Sequence, residues 1–360
     1  MSDTYYFSPE RLRQAITELC LASGSPQEEA DLLTGRLIKA DLVGHPSHGI
    51  IRIPMYLGMI RIDLIKPGAV PSLSIDHGSI VVVDGNGAYG QVGAEHAMKV
   101  AIERGRAHGV AAVGVTNLGH IGRLADYAVS ASQANCIGMV YTTCGGAASL
   151  VAPFEGCSRR MATNPMAMAI PSDREYPIVF DMATSVFAEG KLRVMMAADK
   201  KAPDEALLDK EGNPTNNPRD FYAGGTLLPL GGKQGYKGYL LNFMVEVLGG
   251  LLINGGYIGR EENAKFSNST LMIVIDVEKF RKMSQFKTEL EDLLKYLKET
   301  PVAEGKEVLY PGEVEARKEA ETLKSGIPLA EKTVEKIQEE MDRYNVPIKL
   351  ADLGETAPLG

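Results

Sequence analysis

A mixed α/β fold is what this sequence predicts, and three observations carry the prediction. Short runs rich in Val and Ile at residues 79–84, 110–116, 137–142 and 271–276 have the length and β-branched content of strands. Between the first two, Ala94, Met98, Ala101 and Ile102 recur at helical spacing. The chain also opens and closes on helical patterns, so neither element type accounts for the whole. A length of 360 residues suits roughly two domains of about 100 to 200 residues each.

The first helix starts at Ser8-Pro9-Glu10, which supplies a cap hydroxyl, a proline at the first helical position and an early carboxylate; Leu12, Ile16 and Leu19 form its apolar face. Ser25-Pro26-Gln27-Glu28 repeats the signal. The second helix presents Ala30, Leu33, Leu37 and Ala40 and stops at Gly44, before the His45-Pro46 break. A third helix should carry His48, Arg52 and Met55. Helices are then expected over 91–106, 124–134 and 187–198, and strands over 167–171 and 178–182. Residues 200–222, rich in Lys, Asp, Pro and Asn, read as a mobile loop with an exposed turn at Asp209-Lys210-Glu211-Gly212-Asn213-Pro214. Residues 239–252 read as a buried helix and 286–298 as an amphipathic one. A charged segment after residue 313 leads to a last helix over 330–344.

Composition narrows the functional classes. Hydrophobic residues at 44% and charged residues at 23% describe an ordinary globular chain, and a formal charge of -8 leaves no basic excess for a nucleic-acid partner. Cys20, Cys136, Cys144 and Cys157 show no paired spacing, so neither a disulfide framework nor a zinc site is indicated. Free thiols and an N-terminus without a basic and then apolar run predict a cytoplasmic protein. The longest apolar stretch, 239–254, contains Glu246 and paired glycines and is too short to cross a bilayer comfortably, so no membrane partner is expected.

Four stretches are candidates for chemistry. In Ser47-His48-Gly49-Ile50-Ile51-Arg52, a helix would set His48 and Arg52 four apart on one face, an imidazole that moves a proton beside a guanidinium that grips a carboxylate. His120, in Asn117-Leu118-Gly119-His120-Ile121-Gly122, follows a predicted strand end, where active-site loops gather. Gly85-Asn86-Gly87-Ala88-Tyr89-Gly90 satisfies G-x-G-x-x-G between a strand and a helix, but residues 110–117 lack the carboxylate that a Rossmann unit sets on the ribose. The glycines then read more simply as a tight strand-to-helix turn. Lys237, between Gly235-Tyr236 and Gly238-Tyr239, suits either a phosphate or ribose contact or a snorkelling surface position.

Taken together, these motifs resemble the malate/L-lactate dehydrogenase-like family, the type-2 group that includes ureidoglycolate and sulfolactate dehydrogenases, diketogulonate reductase and cyclic imino acid reductases. The resemblance rests on Ser47-His48-Gly49 with Arg52, residues 84–91, residues 117–122 with Tyr127, and Thr163-Asn164-Pro165. It continues through Asp181-Met182-Ala183-Thr184-Ser185, Lys237-Gly238-Tyr239 ahead of Met244-Val245-Glu246, and Pro311-Gly312-Glu313. It implies a non-Rossmann α/β fold with a largely antiparallel sheet and a nicotinamide cofactor, NAD or NADP, held between two domains of a homodimer. The implied domains are 1–116 completed by 286–318, a cofactor domain over 117–285, and a helical tail over 319–360. By the same resemblance, His48 or His120 is the acid/base, Arg52 clamps the substrate carboxylate, and Ser47 and Thr163 complete the pocket. Asp181, Met182, Ala183, Thr184, Ser185, Tyr236, Lys237, Pro311, Gly312 and Glu313 would line the cofactor site.

The sequence departs from the family pattern at Tyr236, at Thr142-Thr143-Cys144-Gly145-Gly146 and at Ala162, positions that bear on substrate choice. The implied activity is hydride transfer between nicotinamide and C2 of a small 2-hydroxy or 2-oxo acid, with reduction of a cyclic imino acid or a sugar-derived keto acid as the alternative. Two other classes stay open on the residues alone. One is a metal-dependent hydrolase using His45, His48 and His120; the other is a non-catalytic protein that binds small acids. Lys191 and Arg193 are the candidate cations for a 2′-phosphate.

Overall fold

The computed structural model describes residues 4–144, 148–197, 199–259 and 266–359. Gly145 and Gly146 of the departing stretch, and Ala198 at the end of a predicted helix, lie outside the described residues. Strand β1 (Thr4–Phe7) leads into α1 (Pro9–Ala22) and α2 (Gln27–Leu42), both starting where their prolines and carboxylates predict. Leu12, Ile16 and Leu19 of α1 close on Leu33 and Leu37 of α2 in one continuous core. Each such side chain contributes about 1.5–3 kcal/mol by leaving water.

The expected third helix does not form as one piece. Two short 3-10 turns, Pro46–His48 and Ile50–Arg52, precede α3 (Ile53–Arg61), and Gly49 between them is extended at φ -90° and ψ -153°. The cause is Asp41 beneath the turn. Its Oδ2 accepts the Ile50 N–H at 2.8 Å, and a Cβ on residue 49 would stand 2.0 Å from its Oδ1.

Next come β2 (Ser72–Asp76), β3 (Ile80–Ala88), α4 (Gly90–His108), β4 (Val110–Leu118), α5 (Ala125–Gln133), β5 (Cys136–Thr143), β6 (Met166–Ile170) and β7 (Ile178–Met182). They join a later strand in a seven-stranded sheet whose neighbours are antiparallel except for β3 beside β4. Helices α4 and α5 cover one face, with Ala94, Ala97, Met98 and Ala101 against Val81, Val83, Val113 and Val115. Gly138 of β5 lets α5 approach, since a Cβ there would lie 2.6 Å from that of Ala131.

The glycine fingerprint is not a strand-to-helix turn. Gly85 to Ala88 remain in β3 as a bulge, with Asn86 and Gly87 at φ 53° and 78°, and the space beside them is filled by protein. A Cβ on Gly85 would meet the Asn117 carbonyl at 2.8 Å, and one on Gly90 would meet the His120 carbonyl carbon at 2.3 Å. These glycines admit the His120 loop rather than a pyrophosphate.

Residues 200–222 are more ordered than a loop. After α6 (Glu189–Ala197), the chain forms β8 (Leu207–Leu208), β9 (Pro214–Thr215), α7 (Pro218–Tyr222) and β10 (Thr226–Leu227), a small sheet that buries Leu207, Phe221 and Leu227. The turn between β8 and β9 is exposed as expected, held by Asp209 Oδ1 accepting the N–H groups of Glu211 and Asn213. Helix α8 (Tyr236–Glu246) continues through a π-helical turn at Val247–Leu251, and β11 (Asn268–Asp276) then inserts between β4 and β5.

The chain ends with α9 (Met283–Lys298), α10 (Glu313–Ser325), β12 (Ile327–Ala330), α11 (Glu331–Arg343) and β13 (Gly354–Glu355). The charged segment is thus a helix. Strands β12 and β13 flank β1, and Ile337, Met341 and Leu350 enter the core of α1 and α2. The end of the chain therefore packs on its beginning, and residue 116 falls inside β4 rather than at a break. Among the described residues no helix is long and apolar enough to cross a membrane.

Candidate active site

The bent turn brings the predicted residues together by a route other than a helix face. Arg52 Nε reaches back to donate to the Ser47 carbonyl at 2.5 Å, and Ser47 Oγ lies 3.0 Å from His48 Nδ1. The His48 and His120 rings stack with centroids 5.5 Å apart and an interplanar angle of 19°. Tyr56, one turn along α3 from Arg52, sets its hydroxyl 2.9 Å from His120 Nδ1, and Gln91 Nε2 donates to the same hydroxyl at 2.9 Å. The sequence reading missed Tyr56 and Gln91 as working residues. Only the spacing of four from Arg52 could have pointed to Tyr56.

Electrostatics favour neutral imidazoles. Burial, and then the nearby Arg52 charge, push His48 down to about 3 and hold His120 well below its ordinary value. Among the described residues Arg52 has no carboxylate partner in an ion pair, and neither histidine Nε2 has a hydrogen-bond partner. An unpaired guanidinium beside two free ring nitrogens is a receptor for a carboxylate with an oxygen next to it.

A second group of segments adjoins this one. Gly190, in the first turn of α6, backs onto Ser47: a Cβ there would stand 2.7 Å from the Ser47 Cβ. Thr184 Oγ1 donates to the carbonyls of Thr163 and Asn164 at 3.1 and 3.0 Å, and Leu230 N–H donates to the Thr184 carbonyl at 2.9 Å. Gly238 in turn packs on Leu230, so Tyr236 and Lys237 are carried to the same edge as Thr184 and Ser185. Asp181 accepts the Ala125 N–H at 2.9 Å and caps α5, five residues after His120. Burial raises its carboxyl above the usual range.

Beneath these segments lies Glu246, which accepts Thr143 Oγ1 at 2.8 Å, Asn164 Nδ2 at 2.7 Å and Ile258 N–H at 2.7 Å. Asn242 Nδ2 donates to the Ala162 carbonyl at 2.9 Å, which ties the departing residue Ala162 to α8. Pro311 to Glu313 sits at the head of β7. The Pro311 carbonyl accepts the Val179 N–H at 3.1 Å, Gly312 packs on the Pro177 carbonyl, and Glu313 is held by Lys298 at 2.7 Å and Arg317 at 2.8 Å.

The three-histidine metal centre is not formed. His45 turns to Glu315 on α10, with Nε2 to Oε1 at 3.5 Å, and no group of three or more metal-ligating side chains converges among the described residues. Lys237 Nζ lies 5.8 Å from the ring of Tyr236, which is 41% exposed, and Met182 at the end of β7 is 37% exposed. Arg193 pairs with Glu189 at 2.7 Å.

The family model of malate/L-lactate dehydrogenase matches residues 7–338. The chain belongs to that family. It is 35% identical over 346 residues to a malate/(S)-sulfolactate dehydrogenase of Methanothermus fervidus, covering 95% of this chain and 98% of the relative. Among solved structures, malate dehydrogenase from Entamoeba histolytica superposes with a TM-score of 0.90 at 32% identity, covering 96% and 99% of the two chains. The δ1-piperideine-2-carboxylate reductase of Pseudomonas syringae superposes with a TM-score of 0.80 at 27% identity, covering 93% and 99%. Membership makes this chain an oxidoreductase of the dehydrogenase type and implies a nicotinamide cofactor. The mixed, largely antiparallel sheet agrees with the fold of these relatives.

Proposed function

We propose that this chain moves hydride between NAD or NADP and C2 of a small 2-hydroxy or 2-oxo acid of the malate, lactate or sulfolactate type. The observation that carries the reading is the unpaired Arg52 beside the stacked, neutral His48 and His120. The bound nicotinamide supplies the hydride acceptor or donor, chemistry that no side chain here provides. Arg52 orients the substrate carboxylate through paired hydrogen bonds, Ser47 and Thr163 border the pocket, and the imidazoles handle the proton and the developing charge on the C2 oxygen. Asp181 to Ser185 with Tyr236 and Lys237 are the residues assigned to hold the cofactor, and Pro311 to Glu313 brace the strand that leads to Asp181.

Purified protein is mixed with NADH or NADPH and a panel of 2-oxo acids, and the absorbance of the reduced nicotinamide is followed. Oxidation with at least one acid is expected, and the preferred cofactor reads out directly. Silence across the panel, together with no cofactor binding by calorimetry, overturns the proposal. Reduction of a cyclic imino acid is the second reading, favoured by the likeness to the piperideine carboxylate reductase, and an imine added to the panel tests it.

The working unit in this reading is a homodimer. Leu240 and Leu252 are 55% and 63% exposed on α8 and the turns after it, with Phe243 and Met244 also in water, and a second copy would bury them. Light scattering after size exclusion should give twice the monomer mass of 38.8 kDa.

A further inference from the structure

The two histidines differ in what stands behind them. Tyr56 is fully buried, and its hydroxyl bridges Gln91 Nε2 and His120 Nδ1, each at 2.9 Å. An amide NH2 only donates, so the Tyr56 oxygen accepts from Gln91 and its single proton is left for His120 Nδ1. A ring nitrogen that accepts carries no proton. The neutral His120 ring therefore keeps its proton on Nε2, facing away from Tyr56.

The amide orientation sets this direction, and the surroundings of Gln91 favour it. Gln91 is buried and its Oε1 has no partner among the described residues. Turning the amide round would put two N–H donors where one unpaired oxygen now stands, and buried orphan donors are rarer than under-satisfied carbonyls. The backbone of His120 is held as firmly as its ring, because Gly90 of α4 packs directly on the His120 carbonyl.

His48 is under no such constraint. Its Nδ1 faces the Ser47 hydroxyl at 3.0 Å, a group that donates or accepts by rotation, so its Nε2 is able to carry a lone pair. We propose that the Gln91–Tyr56 pair locks His120 as the Nε2–H tautomer, so that His120 donates a hydrogen bond to the substrate oxygen while His48 is the group that takes and returns the proton. Tyr56 and Gln91 are then positioning residues. The assignment rests on the dehydrogenase reading for the identity of that oxygen. In oxidation, the hydroxyl O–H breaks with its proton going to His48 Nε2, and the oxygen electron pair closes the C2=O bond as C2–H leaves as hydride to the oxidised nicotinamide. In reduction each transfer runs backwards.

Nitrogen-15 NMR of histidine-labelled full-length protein at neutral pH reads the tautomer, with His120→Gln identifying the resonances. The expected spectrum has His120 Nδ1 unprotonated and Nε2 protonated. In Gln91→Glu the carboxylate accepts the Tyr56 proton, so His120 must donate from Nδ1 and the tautomer reverses. Its kcat then falls roughly 100-fold, the order expected for losing one donor to the reacting oxygen, while the KM for the cofactor is unchanged. Tyr56→Phe should give mixed tautomers and a similar loss. A wild-type ring protonated on Nδ1, or a Gln91→Glu protein with unchanged tautomer and kcat, overturns the relay. The spectrum needs no substrate, so a protein silent on every acid but carrying the expected tautomer would refute the dehydrogenase reading and leave the relay standing.

Discussion

The two halves of the site are built on opposite principles. Around Glu246, polar groups point inward and pair: three donors converge on one buried carboxylate, and apart from Asn164 Oδ1 the cluster is satisfied. Around His48 and His120, Nδ1 of each ring and Arg52 Nε have partners, whereas both Nε2 atoms have no hydrogen-bond partner and Arg52 has no carboxylate partner among the described residues. A satisfied cluster stabilises and positions, whereas a guanidinium and ring nitrogens left without partners are what a ligand completes. On the proposed function, the comparison assigns the chemistry to the second group and the holding role to the first.

If that division is right, mutations on the two sides should fail in different ways. The largest effect is expected from His48→Ala, which should lower kcat by about 10²- to 10⁴-fold, the usual range for a general acid/base. Cofactor affinity measured by calorimetry should be preserved, and an equal loss of binding would place His48 among the holding residues. Arg52→Lys keeps the charge but not the fork, and should raise the KM for the acid about 10- to 100-fold with the folding midpoint unchanged. On the other side, Glu246→Ala strands the Thr143, Asn164 and Ile258 donors. It should lower unfolding free energy by on the order of 1–3 kcal/mol in urea titrations, with Glu246→Gln losing less. A Glu246→Ala protein of unchanged stability would break the distinction.

The smallest effect is a pH dependence. His48 is held neutral in the folded protein down to about 3 by burial and by Arg52, whereas the unfolded chain protonates it near 6.5. Its contribution to stability is therefore present above pH 6.5 and lost as pH falls toward 3. Urea midpoints at pH 7.5 and 5.0 should drop further for the wild type than for His48→Gln. Equal drops would mean that the ring is not desolvated as its surroundings require.

Much of the fold was legible because its signals are local. The proline and carboxylate starts of α1 and α2, the Val-rich cores of β3 and β4, and the spacing within α4 depend on neighbours a few residues away, and each formed close to its expected bounds. β1, β12 and β13 were not legible. They pair residues at opposite ends of the chain, and strands of two to four residues carry almost no periodicity of their own. The small sheet spanning residues 207–227 escaped for the same reason, its polar composition outweighing three buried side chains.

The identities of the site residues were likewise set by the sequence: an imidazole and a guanidinium within one short turn, a second imidazole after a strand, and a run of small polar residues at the edge of another. What only the tertiary structure decided is how they meet. Asp41 bends the turn at Gly49, so Arg52 folds back on Ser47 instead of sharing a helical face with His48. Gly90 and the buried Tyr56 bring His120 to the other side of the same space. Residue type sets which proton or charge a side chain handles. The direction in which it is offered depends on hydrogen bonds to partners 9, 35 and 64 positions away, and no local pattern encodes those.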